Sequence, residues 1–294
     1  MKKLKGIGLL LIANVLIFVT LSISFNILVN LVLPAFGVDI RGAVNQQDLL
    51  WALVIGFGGA FLSLAFSKQM ARSMLNCEQI TQPRSHAEQV IYGSVQDIAQ
   101  RLHITMPEVW IYESPDPNAF ATGPSKNNSM VAVSTGLLEN LREDEVKAVL
   151  AHEMGHVYNG DMFTTTVLAG LMNTFVYFIS RWVYRQLAER NGALAFGVYF
   201  FLQIVLSFLA MIPISWFSRR REYAADAFSA KVYGREAMIS ALQAIDRWVN
   251  RTQFEYSNQD ALATMKISGT TGRFGALFAT HPPIEVRIAA LQQL

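Results

Sequence analysis

The stretch EDEVKAVLAHEMGHVYNGD, residues 143–161, carries a His-Glu-x-x-His motif inside a predicted helix. Residues four apart on a helix lie on one face, so His152 and His156 can present two imidazole nitrogens to a single metal ion. Glu153 stands next to the first histidine and can act as a base on a water molecule at that ion. Two histidines with an adjacent carboxylate are typical of zinc hydrolases, so the motif predicts a hydrolytic metal site.

Local signals mark both ends of this helix. Three acidic residues, Glu143–Glu145, occupy its expected first turn, where the helix dipole favours negative charge. Asn159-Gly160 is a typical stop signal, and Asp161 can cap the segment that follows. The pattern therefore predicts a helix that begins near residues 142–144 and ends at Asn159-Gly160.

A third metal ligand has to come from elsewhere in the chain, because a catalytic zinc usually has three protein ligands and one open position. The best downstream candidate is Glu222, which follows three arginines and precedes Asp226 by four positions. On a helix Glu222 can bind the metal, while Asp226 can accept the free N–H of a ligand histidine. The spacing alone is equally compatible with charge patterning against the arginines, so both interpretations stay open.

The chain as a whole is too apolar for a typical soluble domain. Hydrophobic residues make up 52% of its 294 residues and charged residues 16%, whereas soluble domains carry about 25% charged residues. Uncharged runs occupy residues 6–33, 49–67, 162–180 and about 191–217. A bilayer crossing needs about 20 apolar residues, so these runs predict two transmembrane hairpins with about four helices in all.

The second hairpin has two further interpretations. Its runs could insert only partly into the bilayer, or they could form a buried helical hairpin in a soluble core. Basic residues at both of its ends, in Arg181–Arg190 and Arg219–Arg221, leave the charge rule ambiguous here. If Glu222 joins the histidines, both feet of the hairpin lie on one side, which favours two full crossings.

The charges that flank the first hairpin predict the orientation of the chain. Lys2, Lys3 and Lys5 precede it, and Lys68 and Arg72 follow it. Such clusters of cations lie on the cytoplasmic side of a membrane. The predicted organisation is an N-terminal transmembrane hairpin (1–67), a cytoplasmic protease subdomain with the histidine motif (68–161), a second transmembrane hairpin (162–218) and a C-terminal cytoplasmic subdomain with the third ligand (219–294).

Short strands are predicted between the first hairpin and the motif helix. The runs Glu108–Glu113, Asn118–Thr122 and Met130–Ser134 are separated by proline, glycine and asparagine turn signals. The simplest interpretation is a small antiparallel β-sheet in a mainly α-helical integral membrane protein. Asn118–Thr122 is either an ordinary hairpin strand or an edge strand that pairs with an extended substrate. Nearer the C-terminus, the polar residues 251–275 predict a long loop.

Composition also argues against some classes of partner. The formal net charge is only +2, and the sequence has neither a phosphate-binding glycine loop nor a nucleic-acid-binding motif, so no nucleic acid is expected as a partner. The single cysteine, Cys77, cannot form a disulfide within the chain, which fits a catalytic part on the reducing side of a membrane.

Several motifs occur together and in a particular order. They are NAFATG at 118–123, STGLL at 134–138, AHEMGH at 151–156, NGDM at 159–162, REYAAD at 221–226 and THPPIEVR at 280–287. With the apolar hairpins, this combination resembles the HtpX family of bacterial membrane-bound zinc endopeptidases. That family is gluzincin-like and is related to the eukaryotic prenyl-protein (CAAX) proteases. The resemblance covers essentially the whole chain.

The resemblance implies a role for particular residues. It implies that His152, His156 and Glu222 hold one Zn²⁺ ion per chain, with Glu153 as the catalytic base and Asp226 as an acid behind the ligands. It also implies that His281 and Arg287 are catalytic residues that stabilise the oxyanion. Asn118 and Ala119 would belong to an edge strand that binds the substrate. By position, all of these match the family motifs. Without the resemblance, His281 would be interpreted as a helix-cap residue before two prolines.

The resemblance also implies a location and a task. It implies a multi-pass protein of the bacterial cytoplasmic (inner) membrane whose catalytic domain faces the cytosol. Its substrates would be damaged or misfolded membrane proteins, in a stress response and protein quality control shared with other membrane proteases. Two alternatives are a transporter or scaffold with a structural metal and a prenyl-protein processing protease. The nearly charge-free runs disfavour the first alternative, and the short chain disfavours the second.

Overall fold

The computed structural model describes residues 45–257 and 278–294, together with Leu31 and Pro34. The first predicted apolar run, residues 6–33, and residues 258–275 of the predicted loop lie outside this described part, except for Leu31. The elements are α1 (Gln46–Leu75), β1 (Glu78–Gln79), α2 (His86–Arg101), β2 (Glu108–Tyr112), β3 (Ala119–Ser125), β4 (Asn128–Ser134), α3 (Thr135–Asn140), α4 (Glu143–Asn159), α5 (Asp161–Ala188), α6 (Gly192–Tyr233), α7 (Arg235–Ser257) and α8 (Ile284–Gln292).

The chain divides into two compact units. One comprises residues 1–62 and 167–210, and the other comprises residues 63–166 and 211–294. Within the described ranges, three helices are long and apolar enough to cross a membrane: Gln47–Leu75, Asp161–Ala188 and Gly192–Tyr233. They contain the second, third and fourth predicted apolar runs, and together with the small sheet they confirm the predicted fold class.

The first unit shows a close contact between α1 and α5. A Cβ atom added to Gly56 would lie 2.3 Å from Thr174 Oγ1 and 2.5 Å from its backbone nitrogen, so the two helices touch there almost backbone to backbone. One turn away, the Phe57 ring fills the space beside Gly170. A Cβ on Gly58, by contrast, would meet no described atom within 4 Å.

An ion pair accompanies this helix contact. Asp48 lies in the first turn of α1 and is buried, with its Oδ2 atom 2.7 Å from Arg185 Nη1. Arg181 Nε lies 3.6 Å from the other carboxylate oxygen. Both arginines belong to the basic segment that made the charge rule ambiguous. Because Asp48 offsets their charge, they are poor indicators of which side of a membrane they occupy.

The contact between α1 and α5 gives a prediction about stability. We expect Gly56→Leu to lower the melting temperature of the detergent-solubilised protein, because the new side chain would meet the backbone of Thr174. Overpacking of this kind costs about 1–3 kcal/mol or more. Gly58→Leu is the matched control and should leave the melting temperature nearly unchanged. Equal melting temperatures for the two variants would contradict the helix contact.

The second unit contains a four-stranded sheet with the order β1-β2-β4-β3. The pairs β1/β2 and β3/β4 are antiparallel, but β2 and β4 are parallel, so the sheet is mixed and the purely antiparallel arrangement was wrong. The reason lies in the connection 113–118, where Pro115 and Pro117 prevent a tight hairpin from β2. The chain passes beyond the position of β4 and returns, which leaves β3 at the edge of the sheet.

Three helices pack with this sheet around one apolar core. The core includes Ile91, Val95 and Ile98 of α2, Val131 and Val133 of β4, Val146, Leu150 and Met154 of α4, and Met238 and Leu242 of α7. The predicted loop at 251–275 begins too early, because α7 continues to Ser257. No glycine or proline interrupts residues 235–257, so the helical hydrogen bonding persists into the polar sequence.

Candidate metal centre

The motif helix α4 has the bounds that its sequence predicts. At its start the Glu145 carboxylate accepts a hydrogen bond of 2.8 Å from the backbone N–H of Arg142. At its end Gly160 adopts a left-handed conformation, with φ 69°, which suits a residue without a Cβ. Both signals are local, so the helix carries its histidines at fixed positions in its last turns.

A close crossing of α4 and α6 brings the two histidines to Glu222. A Cβ added to Gly155, which lies between the histidines, would be 3.3 Å from Ala225 Cα and 3.2 Å from the Phe228 ring. These distances are shorter than ordinary van der Waals contacts, so a side chain at position 155 would force its neighbours to move by a few tenths of an ångström. The crossing therefore depends on the glycine inside the motif.

The nearest side-chain atoms of His152, His156 and Glu222 converge on one point. The two Nε2 atoms are 3.2 Å apart. His156 Nε2 is 3.3 Å from Glu222 Oε1, and His152 Nε2 is 3.5 Å from Glu222 Oε2. One ligand atom from each of the three residues lies within 4.8 Å of the others. The structure thus brings together the three ligands that the sequence predicts.

The chemistry of this cluster fits a divalent metal ion. Glu222 is buried, and no described donor makes a well-directed hydrogen bond to its Oε2 atom, although His281 Nδ1 lies 2.8 Å from it. A buried carboxylate oxygen without a well-directed hydrogen bond is costly. Two imidazole nitrogens and a carboxylate oxygen that face one another form the donor set of a catalytic zinc site. A cation there would satisfy all three groups.

A carboxylate lies at the Nδ1 atom of each candidate ligand histidine. His152 Nδ1 lies 2.9 Å from Asp226 Oδ1, and His156 Nδ1 lies 2.7 Å from Asp161 Oδ2. A carboxylate at Nδ1 holds the proton on that nitrogen and directs the Nε2 lone pair outward. The sequence predicts this position for Asp226. For Asp161 the sequence suggests only a capping role. An acidic residue directly after the glycine that ends a helix lies near the last turn of that helix, and this position is a signal that the sequence does contain.

Arg287 projects from α8 and is buried beside these groups. Its Nη2 and Nε atoms donate to the two carboxylate oxygens of Asp226, at 2.6 and 2.8 Å. Its Nη1 atom lies 3.4 Å from Glu222 Oε2. Burial alone would lower the pKa of Arg287, but the Asp226 carboxylate outweighs this effect and raises the pKa. The guanidinium therefore stays charged and lies behind the cluster.

His281 approaches the same Glu222 oxygen from a solvent-exposed position. Its side chain is 65% exposed, and its Nδ1 atom is 2.8 Å from Glu222 Oε2. Two hydrogen bonds to backbone carbonyls hold the preceding segment against α6. Ser215 Oγ donates to Phe278 O at 3.0 Å, and Arg219 Nη1 donates to Ala279 O at 2.6 Å. The anchored segment keeps His281 next to the candidate ligands.

Glu153 lies between the ligand cluster and the edge strand β3. Burial raises the pKa of its carboxyl, although the charges of His152 and His156 act in the opposite direction. The backbone of Ala121, on β3, is close enough to this carboxylate to favour its charged form and so to lower the pKa. A carboxyl with a raised pKa beside a metal site is suited to proton transfer near neutral pH.

The residues predicted to bind substrate lie at the start of β3. Ala119 pairs with Val133 of β4, and the backbone N–H of Asn118 donates to Ser134 Oγ at 2.9 Å. Strand β4 occupies one side of β3, and no other described strand pairs with its second side. An edge strand of this kind can accept an extended peptide.

The chain also matches a known sequence family. The profile of Peptidase family M48 matches residues 85–294. This chain belongs to peptidase family M48. Its M48 relatives include Protease HtpX from Pasteurella multocida (strain Pm70), which is 45% identical over 286 residues that cover 96% of this chain and 98% of the relative. Protease HtpX homolog from Methylacidiphilum infernorum (isolate V4) is 42% identical over 301 residues and 99% of each chain.

A solved structure shares the fold of this M48 chain. Ste24p from S. mikatae superposes with a TM-score of 0.62 at 18% sequence identity. The match covers 96% of this chain but 66% of that longer one. The resemblance to HtpX that the motifs indicated is confirmed, and membership of M48 makes the chain a metallopeptidase. The three helices of membrane-spanning length indicate that the chain is a membrane protein.

The buried pair Arg287–Asp226 gives a second prediction about stability. We expect Arg287→Met to destabilise the metal-free protein by about 3–5 kcal/mol, because Asp226 would keep a buried charge without its partner. Thermal unfolding in detergent with a chelator measures the effect without a contribution from metal binding.

The matched control for Arg287→Met is Arg101→Met, which removes an exposed arginine that pairs with Asp97 along α2. Exposed pairs contribute less than about 1 kcal/mol, so this control should change the unfolding temperature little. If the two variants unfolded at the same temperature as the parent, the ion pair at Asp226 would contribute no net stability.

Proposed function

We propose that this M48 metallopeptidase is a zinc-dependent endopeptidase of the bacterial cytoplasmic (inner) membrane. Its catalytic side faces the cytosol, and it cleaves damaged or misfolded membrane proteins in a stress response and in protein quality control. One observation carries the catalytic part of the proposal. The three candidate ligands converge beside the half-buried Glu153, which lies next to an edge strand able to present a peptide.

In this proposal His152, His156 and Glu222 hold one Zn²⁺ ion. When bound there, the ion acidifies water and polarises the scissile carbonyl. Asp226 keeps His152 in the tautomer that offers Nε2 to the metal. The choice of zinc rests on the donor set, since two imidazoles and one carboxylate are typical ligands of catalytic zinc.

The proton transfers are assigned to Glu153. Its carboxylate takes a proton from the attacking water molecule and then delivers that proton to the nitrogen of the leaving amine. His281, which is exposed at the cleft, donates a hydrogen bond to the oxyanion. Arg287 is engaged by Asp226, so it contributes its positive charge from behind the ligands rather than a free hydrogen-bond donor.

Strand β3 is the proposed binding surface for the substrate backbone. An extended peptide adds to its free edge, with Asn118 and Ala119 as the first pairing positions. Main-chain pairing requires an unfolded segment of the substrate, but it imposes little preference for a particular sequence. This mode suits an endopeptidase that selects misfolded proteins by their exposed extended chain.

For the membrane arrangement we propose the organisation that the sequence predicts, with two transmembrane hairpins and two cytoplasmic subdomains. Residues 1–67 and 162–218 form two hairpins, and residues 68–161 and 219–294 form the cytoplasmic subdomains. Three candidate spans within the described residues support this arrangement. Protease protection of tagged protein in inside-out vesicles tests the orientation, because cytosolic segments would be accessible there. Accessibility of the catalytic residues only in right-side-out vesicles would reverse the assignment.

The function is tested by metal analysis together with a cleavage assay. Purified protein should contain one zinc per chain and should cleave casein or a misfolded membrane protein in proteoliposomes. A chelator should abolish cleavage, and added zinc should restore it. Cleavage that persists in a verified metal-free preparation would refute the proposal. Metal without any peptidase activity would favour a structural metal site, and a strict requirement for a prenylated peptide would favour prenyl-protein processing.

A further inference from the structure

The second ligand histidine has its own supporting group, which involves residues from three helices. Asp161 is the first residue of α5 and is buried, with its Oδ2 atom 2.7 Å from His156 Nδ1. Its other carboxylate oxygen forms an ion pair with Arg221 of α6. Arg221 Nη2 also donates to Asn159 O at 3.2 Å, at the last residue of α4. One arginine therefore joins the end of α4 to the start of α5.

This arrangement repeats the one at the other histidine. There, Arg287 holds Asp226, and Asp226 lies at His152 Nδ1. In both cases an arginine offsets the charge of a buried carboxylate, which can then remain ionised and accept the imidazole N–H. Arg221 is also the neighbour of Glu222 in the sequence. The position of Glu222 in the chain is therefore linked to that of Arg221, which holds the carboxylate behind His156.

We propose that Asp161 and Arg221 are a positioning pair that fixes the tautomer and orientation of His156 and thereby sets the metal affinity of the site. The proposal rests on the proposed function, in which His156 is a metal ligand. Asp161 fixes the proton on Nδ1 and directs Nε2 toward Glu222. Arg221 fixes the Asp161 carboxylate against the end of α4. Neither residue touches the substrate.

A simpler role for Asp161 is to stabilise the start of α5 through the helix dipole. That role requires only a negative charge in the first turn of the helix, whereas the positioning role requires the contact with His156. Moving the acid by one residue separates the two roles. The double variant Asp161→Asn/Met162→Asp keeps a carboxylate in the first turn but removes it from His156.

The experiment measures zinc affinity of the full-length protein in detergent by competition with a chelator. We expect Asp161→Asn to weaken affinity by about 10–100-fold, and the double variant to stay equally weak. Asp144→Asn is the matched control, because it removes an exposed acid from the first turn of the motif helix. Its affinity should equal that of the parent. The visible spectrum of Co²⁺-loaded protein provides a second measurement, which should change for Asp161→Asn and not for Asp144→Asn.

Arg221→Gln keeps Asp161 in place and covers the case in which Asp161→Asn does not fold. It should weaken zinc affinity by about tenfold, because the carboxylate remains near His156 but is no longer held. If Asp161→Asn kept the zinc affinity and the Co²⁺ spectrum of the parent, the positioning role would be wrong but the proposed function would stand. If Asp161→Asn did not fold, the same result in Arg221→Gln would lead to the same conclusion. Recovery of affinity in the double variant would also overturn the positioning role. A parent protein that binds no metal would overturn the proposed function as well.

Discussion

Replacement of Glu153 by glutamine is expected to abolish peptide cleavage while the metal stays bound. Glutamine has nearly the same size but cannot take a proton from water at neutral pH. General bases contribute about 10²–10⁴-fold to rates, so kcat/KM should fall by that range. Zinc content should remain at the parent level, because the three candidate ligands His152, His156 and Glu222 are unchanged.

The measurement pairs kcat/KM on a peptide or casein substrate with elemental analysis of the same preparation. Glu143→Gln is the matched control, because it removes a half-exposed carboxylate from the same helix, where Glu143 pairs with Lys147. This control should retain both activity and zinc. If Glu153→Gln cleaved at the parent rate, the assignment of the base would be wrong. If it lost zinc as well as activity, Glu153 would have a role in holding the metal.

The motif helix could be predicted from the sequence because its signals are local. Gly160 ends the helix through its own backbone conformation, and the acids of the first turn act within a few residues. The i, i+4 spacing then fixes the relation of His152 to His156 wherever the helix packs. These features need no knowledge of the rest of the chain.

The sheet shows where such reasoning fails. The three predicted strands exist, but their order depends on which strand inserts between the others. A hairpin and a crossover present similar alternating patterns in the sequence, so periodicity could not reveal the parallel pairing of β2 with β4. The pairing matters for function, because it leaves β3, with Asn118 before it and Ala119 at its start, at the edge of the sheet.

The sequence also concealed two features of the candidate metal centre. Helix α6 continues without interruption from its apolar residues to Glu222 and Asp226. The change from apolar to charged residues near residue 218 did not indicate that one helix spans both parts, because helical hydrogen bonds do not depend on polarity. The sequence did not indicate the contact of Asp161 with Arg221, because the arginine is 60 positions later in the chain and only the fold brings the two residues together.

Replacement of Glu222 by glutamine is expected to remove the metal and, with it, the activity. The amide has nearly the same shape but lacks the negative charge, and it is a poor ligand for zinc. Two histidines would remain, which is one ligand fewer than a catalytic zinc site usually has. We therefore expect zinc to be lost during purification and cleavage to fall to background.

Thermal unfolding separates the loss of metal from a loss of folding in Glu222→Gln. A ligand that binds only the folded protein stabilises it by about 2.7 kcal/mol at 100 times its dissociation constant. Added zinc should therefore raise the melting temperature of the parent but not that of Glu222→Gln. Without metal the variant should still fold, because glutamine has nearly the same size as glutamate and Arg287 keeps its two hydrogen bonds to Asp226. Glu236→Gln, which removes an 80% exposed carboxylate from α7, is the control and should respond to zinc as the parent does. A parent-like zinc response in Glu222→Gln would mean that another residue completes the site.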